Sequence, residues 1–124
     1  MRLWLRRAAG LSVAAGLIHL IVAPAHFAEW FGYGLFFLAA AAAQLAYAAL
    51  LLKHKTDRTL LMAGIVGNGL ILALYLITRT IGIPVGPAVG EVEPVAAWDA
   101  ISKITELALI VCLVADLSIQ PGSP

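Results

Sequence analysis

The sequence has little charge and almost no cysteine. Only 12% of its 124 residues are charged, 62% are hydrophobic, and the formal net charge is +1. Soluble domains carry about 25% charged residues, so this chain lacks the charge to cover a water-exposed surface. The composition also excludes a disordered chain, and the absence of a basic stripe excludes a nucleic-acid-binding protein. The single cysteine, Cys112, excludes an internal disulfide and a cysteine-based zinc site.

Familiar catalytic motifs are missing as well. The sequence contains no Ser-x-x-Lys or Gly-x-Ser-x-Gly nucleophile. It also has no Cys-x-x-Cys redox pair. We therefore assign no catalytic residue, and the sequence favours a protein that is not an enzyme.

Four long apolar runs are present instead, and the mean hydropathy is +0.97. A transmembrane helix needs about 20 apolar residues. The runs cover approximately residues 8–24, 31–52, 59–79 and 95–117, named here spans 1 to 4. The stretch 35–43 in span 2 lacks the polar face that a helix in a soluble bundle would need. The sequence predicts an all-α integral membrane bundle of four antiparallel transmembrane helices, forming a single domain over residues 1–124.

The basic residues predict an orientation. Six of the 8 Lys and Arg residues precede span 1 or lie between spans 2 and 3: Arg2, Arg6, Arg7, Lys53, Lys55 and Arg58. Because basic residues concentrate on the cytoplasmic side of membranes, we expect both termini in the cytoplasm and a multi-pass protein in the lipid bilayer of a bacterial plasma membrane. An alternative is a signal peptide that is cleaved near Ala23-Pro24-Ala25, which would remove His19.

Each span carries a polar side chain at a similar depth. At 1.5 Å per residue, His19 lies about 16 Å from Trp30 if the helix continues past Pro24, and Gln44 and Asn68 lie equally far from Tyr33 and Arg79. Glu106 lies about 12 Å from Trp98. Such side chains are costly in a membrane and invite functional hypotheses. We predict a buried polar layer in which Glu106 faces the bundle interior and hydrogen-bonds at least one of the other three. The alternative is that these groups act as structural glue between helices.

Span 4 also allows a local explanation for Glu106. Asp99, Lys103 and Glu106 share one helix face, so they can form a self-neutralising ladder. The complete predicted ligand-binding set is His19, Gln44, Asn68, Arg79, Asp99, Lys103 and Glu106.

A second polar cluster is predicted at the outer end of the bundle. His26 and Glu29 are spaced i, i+3, and the long connection before span 4 adds Glu91 and Glu93. Histidine with carboxylates suits a divalent metal such as zinc, iron or manganese. The predicted metal ligands are therefore these four residues. The alternative is that the two loop acids are solvated and that His26 is an interfacial residue.

The string from His26 to Gly34, with Thr78-Arg79-Thr80 and Glu91-Val92-Glu93-Pro94-Val95, resembles a group of small four-span bacterial membrane proteins. The resemblance covers nearly the whole chain. It implies the four-span fold, and it implies no activity and no functional residue.

Three functional interpretations follow. In the first, the outer His/carboxylate site leads to the buried polar layer, and the protein binds or passes a cation or small polar ligand. In the second, the chain is an accessory or assembly subunit of a larger membrane complex or a homo-oligomer, and its polar residues are structural. In the third, a membrane enzyme uses His26 and the carboxylates on a lipid-soluble substrate.

Overall fold

The chain forms four α-helices in a computed structural model that describes residues 3–53, 57–82, 86 and 97–119. The helices are α1 (Leu3–Glu29), α2 (Phe31–Lys53), α3 (Arg58–Thr80) and α4 (Ala97–Ile119). No residue in the described ranges belongs to a strand. The predicted all-α bundle is confirmed.

Three of the helices, α1, α2 and α3, are long and apolar enough to cross a membrane. Helix α4 differs because it carries four charged residues: Asp99, Lys103, Glu106 and Asp116. Its crossing of the membrane stays a prediction. Large apolar side chains point outward, among them Ile21, Leu70 and Ile104, which are 61%, 66% and 67% exposed. Such an apolar exterior suits contact with lipid.

The helices are arranged around the bundle in the order α2, α1, α4, α3. Helix α1 packs along both α2 and α4, and α3 packs along α4. Helix α2 meets α3 through longer side chains, because the Tyr47 hydroxyl donates to the Leu60 carbonyl at 2.7 Å and Gln44 donates to Asn68 at 3.3 Å. The earlier residue of α2, Gln44, contacts the later residue of α3, Asn68, and Tyr47 contacts Leu60. The two helices are therefore antiparallel neighbours, as their short connection predicts.

Helix α1 extends beyond the predicted end of span 1. It continues through Pro24 to Glu29, although proline removes one helical hydrogen bond. Helix α2 begins almost immediately, since the amide of Tyr33 donates to the Trp30 carbonyl at 3.1 Å. At the other end of the bundle, Asp57 caps α3 by accepting a 2.8 Å hydrogen bond from the Leu60 amide.

The apolar core occupies the half of the bundle nearest the chain termini. It combines the start of α1, the end of α2, the start of α3 and the second half of α4. Its buried members are Leu5, Ala8, Ala9, Leu51, Leu61, Leu109, Cys112 and Leu113. The predicted polar layer lies directly beside this core, on the side away from the termini.

Candidate functional site

Glu106 is completely buried, and its carboxylate is contacted by three side chains. Lys103 donates from Nζ to Oε1 at 2.6 Å. Gln44 on α2 donates from Nε2 to Oε2 at 2.7 Å, and His19 Nε2 on α1 lies 3.6 Å from the same oxygen. A buried carboxylate requires such partners. The prediction that Glu106 faces the interior and bonds a residue of another span is confirmed.

His19 has a defined tautomer. Its Nδ1 lies 2.8 Å from the carbonyl oxygen of Ala15, one helical turn earlier. Because a carbonyl oxygen can only accept, Nδ1 carries a hydrogen and donates it. The other ring nitrogen, Nε2, is therefore the atom that His19 presents to Glu106.

Gln44 connects the polar side chains of the other helices. Besides its bond to Glu106, its Nε2 donates to Asn68 Oδ1 at 3.3 Å. Asn68 in turn donates from Nδ2 to the Gly64 carbonyl of its own helix at 2.8 Å. All four predicted members of the layer are thus buried and joined, and Asn68 reaches Glu106 only through Gln44.

Lys103 supplies the positive charge of the site. Its side chain is 16% exposed, and it forms the predicted i, i+3 ion pair with Glu106. Its ammonium also lies 5.5 Å from the centre of the Tyr75 ring on α3, which is within the range of a cation–π contact. Asp99 is half-buried in the first turn of α4, and its place in the ladder stays a prediction. Arg79 lies in the last turn of α3, and its side chain is outside the described part.

Three further buried polar residues were missed by the sequence analysis. Ser12, Ser102 and Asp116 are at most 4% exposed. The Ser12 hydroxyl donates to the backbone carbonyl of Gln44 at 2.6 Å and so joins α1 to α2 beside the layer. A signal was present for the serines, because Ser12 is two turns before His19 and Ser102 is one turn before Glu106, on the same helix faces.

Two buried polar atoms near this layer have no hydrogen-bond partner within the described residues. They are Gln44 Oε1 and Ser102 Oγ. Buried polar groups are nearly always hydrogen-bonded. An unpaired amide oxygen beside a buried carboxylate can accept a hydrogen bond or coordinate a cation.

The predicted outer cluster is only partly described. His26 donates from Nδ1 to the Val22 carbonyl at 2.9 Å, and its ring stacks on Phe37 with the ring centres 3.7 Å apart. Glu29 is exposed. Glu91 and Glu93 lie outside the described residues. Among residues 3–53, 57–82 and 97–119, no three His, Cys, Asp or Glu side chains are placed to hold a metal ion.

Phe37 connects the two histidines of α1. Its ring stacks on His26, and its centre lies 5.5 Å from that of His19. One aromatic side chain of α2 therefore contacts both histidine rings of α1.

Comparison of the chain with models of protein families, with curated proteins and with solved structures finds no match. The resemblance to small four-span bacterial membrane proteins therefore stays a prediction.

Proposed function

We propose that this protein is a small membrane protein that binds or passes a cation or a small polar ligand at the Glu106 layer. The observation that supports the proposal is the convergence of side chains from α1, α2 and α4 on one fully buried carboxylate. Burying this group in an apolar bundle costs free energy that a hydrophobic residue would not. A functional role accounts for its presence.

The site offers acceptors as well as a charge. Gln44 Oε1 has no donor among the described residues, and it belongs to the amide whose Nε2 contacts Glu106. A small cation at this point would be held by an amide oxygen and a carboxylate. The Lys103 ammonium, bonded to the other carboxylate oxygen, also lies 5.5 Å from the centre of the Tyr75 ring. The predicted metal site of His26, Glu29, Glu91 and Glu93 stays a separate hypothesis, because Glu91 and Glu93 lie outside the described residues.

The proposal is tested by reconstituting the full chain into liposomes and measuring binding and uptake of radiolabelled methylammonium. We expect Glu106→Gln to reduce both by at least about tenfold, since the neutral amide no longer attracts a cation. Asp57→Asn is the matched control. It is also an acid-to-amide change, but at an exposed helix cap, and asparagine caps helices as well as aspartate does. Equal signals from all three proteins contradict the proposal.

A second candidate, an accessory subunit, is favoured by one observation on α3. A Cβ placed at Gly67 or Gly69 would meet nothing within 4 Å, so a partner helix could approach closely there. We expect Gly67→Leu to reduce the size of the particle extracted in native nanodiscs. Ala73→Leu, at another exposed position of α3, serves as the control. Unchanged size in both variants contradicts this candidate.

A further inference from the structure

The contact between His19 and Glu106 depends on the hydrogen of the imidazole. Because Nδ1 donates to the Ala15 carbonyl at 2.8 Å, a neutral His19 presents a lone pair at Nε2. That lone pair faces Glu106 Oε2 at 3.6 Å, and both side chains are at most 3% exposed. An ionised carboxylate at this point would place two electron-rich atoms 3.6 Å apart in a buried site.

One additional proton removes this conflict. On Oε2 it makes a neutral carboxylic acid that donates to Nε2, and on Nε2 it makes an imidazolium beside a carboxylate. Resting on the function proposed above, we propose that His19 and Glu106 hold one exchangeable proton between Nε2 and Oε2, and that this proton is a ligand of the buried site. When the proton moves within the pair, the O–H bond of the carboxylic acid breaks and the N–H bond of the imidazolium forms.

The charges around the His19–Glu106 pair are compatible with the shared proton being bound and with its being absent. Lys103 is bonded to the other carboxylate oxygen, so without the shared proton its positive charge and the negative charge of Glu106 cancel. With the proton bound, the cluster carries one positive charge. Helix α2 faces the pair with the neutral amide of Gln44. Helix α3 contributes the neutral amide of Asn68 and, against Lys103, the ring of Tyr75.

Gln44 keeps the carboxylate in place during the exchange. Its Nε2 donates to Oε2 at 2.7 Å, and that oxygen can accept this bond whether or not it carries the proton. The Ala15 carbonyl likewise accepts from His19 Nδ1 in both states. The proton can therefore arrive and leave without rearranging the helices.

The test follows the full-length protein in nanodiscs over a pH titration. Nitrogen-15 NMR of labelled histidine reports the hydrogen on Nε2, and infrared difference spectra report the carboxylic acid. The chain has 3 histidines, so substituting both His26 and His54 leaves the His19 resonance alone in the spectrum. In the wild type we expect one proton to be released from the pair, with the His19 and Glu106 signals changing over one pH range.

Glu106→Gln tests the coupling. We expect the carboxylic acid band to disappear and the His19 transition to move to lower pH, because the amide of the substituted side chain can donate to Nε2 but does not stabilise an imidazolium. Asp57→Asn is expected to leave both signals unchanged. The inference is overturned if His19 keeps a bare Nε2 opposite an ionised Glu106 at every pH at which the wild type is folded. It is also overturned if the His19 transition is identical in Glu106→Gln.

The two proposals fail in distinguishable ways. Loss of the coupled titration with intact, Glu106-dependent methylammonium binding contradicts the shared proton alone. A coupled titration in a protein that shows no Glu106-dependent methylammonium binding contradicts the proposed cation binding and leaves a proton site.

Discussion

Gln44 and Glu106 form a hydrogen bond across the diagonal of the bundle, from α2 to α4. The donor and acceptor are 2.7 Å apart, and the same amide nitrogen lies 3.3 Å from Asn68 Oδ1 on α3. One side chain thus links its own helix to two others. This role distinguishes Gln44 from Asn68, whose own amide nitrogen bonds within α3.

The first prediction compares these two amides. Gln44→Leu removes two interhelical hydrogen bonds, whereas Asn68→Leu removes one. With interhelical bonds worth about 0.6–2 kcal/mol each in membranes, we expect Gln44→Leu to lower the free energy of unfolding more than Asn68→Leu. Unfolding in mixed micelles with increasing SDS measures the difference. A larger loss for Asn68→Leu would contradict the network described here.

The second prediction concerns the stability of Glu106 variants. Glu106→Gln preserves the shape of the side chain and one acceptor oxygen, and its NH2 group can donate to His19 Nε2, so we expect it to fold. Glu106→Leu leaves the Gln44 amide and the Lys103 ammonium without their partner, which costs about 1–3 kcal/mol for a hydrogen bond lost inside a protein. Thermal unfolding in detergent measures this loss. Adding Lys103→Leu to Glu106→Leu removes the unpaired ammonium, and we expect it to restore part of the stability; no recovery would argue against the ion pair.

The third prediction is the topology. In a Cys112→Ala background, Arg2→Cys and Gly122→Cys are expected to be protected from an impermeant maleimide applied to intact bacteria. Glu29→Cys is the matched position, because residue 29 lies at the opposite end of α1 and is exposed. We expect it to react from outside. Labelling of positions 2 and 122, with protection of position 29, would reverse the orientation.

The fourth prediction concerns the outer metal hypothesis. If His26, Glu29, Glu91 and Glu93 hold a divalent ion, protein purified in mild detergent contains zinc, iron or manganese, and His26→Ala and Glu93→Ala both lose it. Elemental analysis of the three proteins decides the matter. Metal-free wild type that binds added zinc no better than the two variants would end the hypothesis.

The sequence predicted the helices and the level of the polar layer for simple reasons. Apolar runs of membrane length and a fixed rise per residue place His19, Gln44, Asn68 and Glu106 near one height, and the structure joins them. The rotation of each helix about its own axis, unlike the height of a residue along it, does not follow from the rise per residue. It depends on which side chains of neighbouring helices fit together, so the sequence could not show that Asn68 reaches Glu106 only through Gln44.

Contacts between helices were also not predictable for the predicted outer cluster. The i, i+3 spacing of His26 and Glu29 places them near each other on α1, and the sequence does not show which side chain of α2 contacts the imidazole. Phe37 stacks on the His26 ring, a contact that the spacing along α1 alone cannot predict. Helix α1 also extends past the apolar run, because it continues through Pro24 to Glu29, where the chain turns directly into α2.

The apolar core beside Glu106 has an electrical consequence. Leu61, Leu109 and Leu113 are fully buried there. Because tightly packed apolar side chains polarise weakly, this half of the bundle has a low dielectric constant. In an energised membrane, voltage falls steeply across such a weakly polarisable region. An elementary charge that crosses the whole membrane at 100 mV changes its energy by about 2.3 kcal/mol. A charge held at Glu106, between the two ends of the bundle, would experience a fraction of that energy.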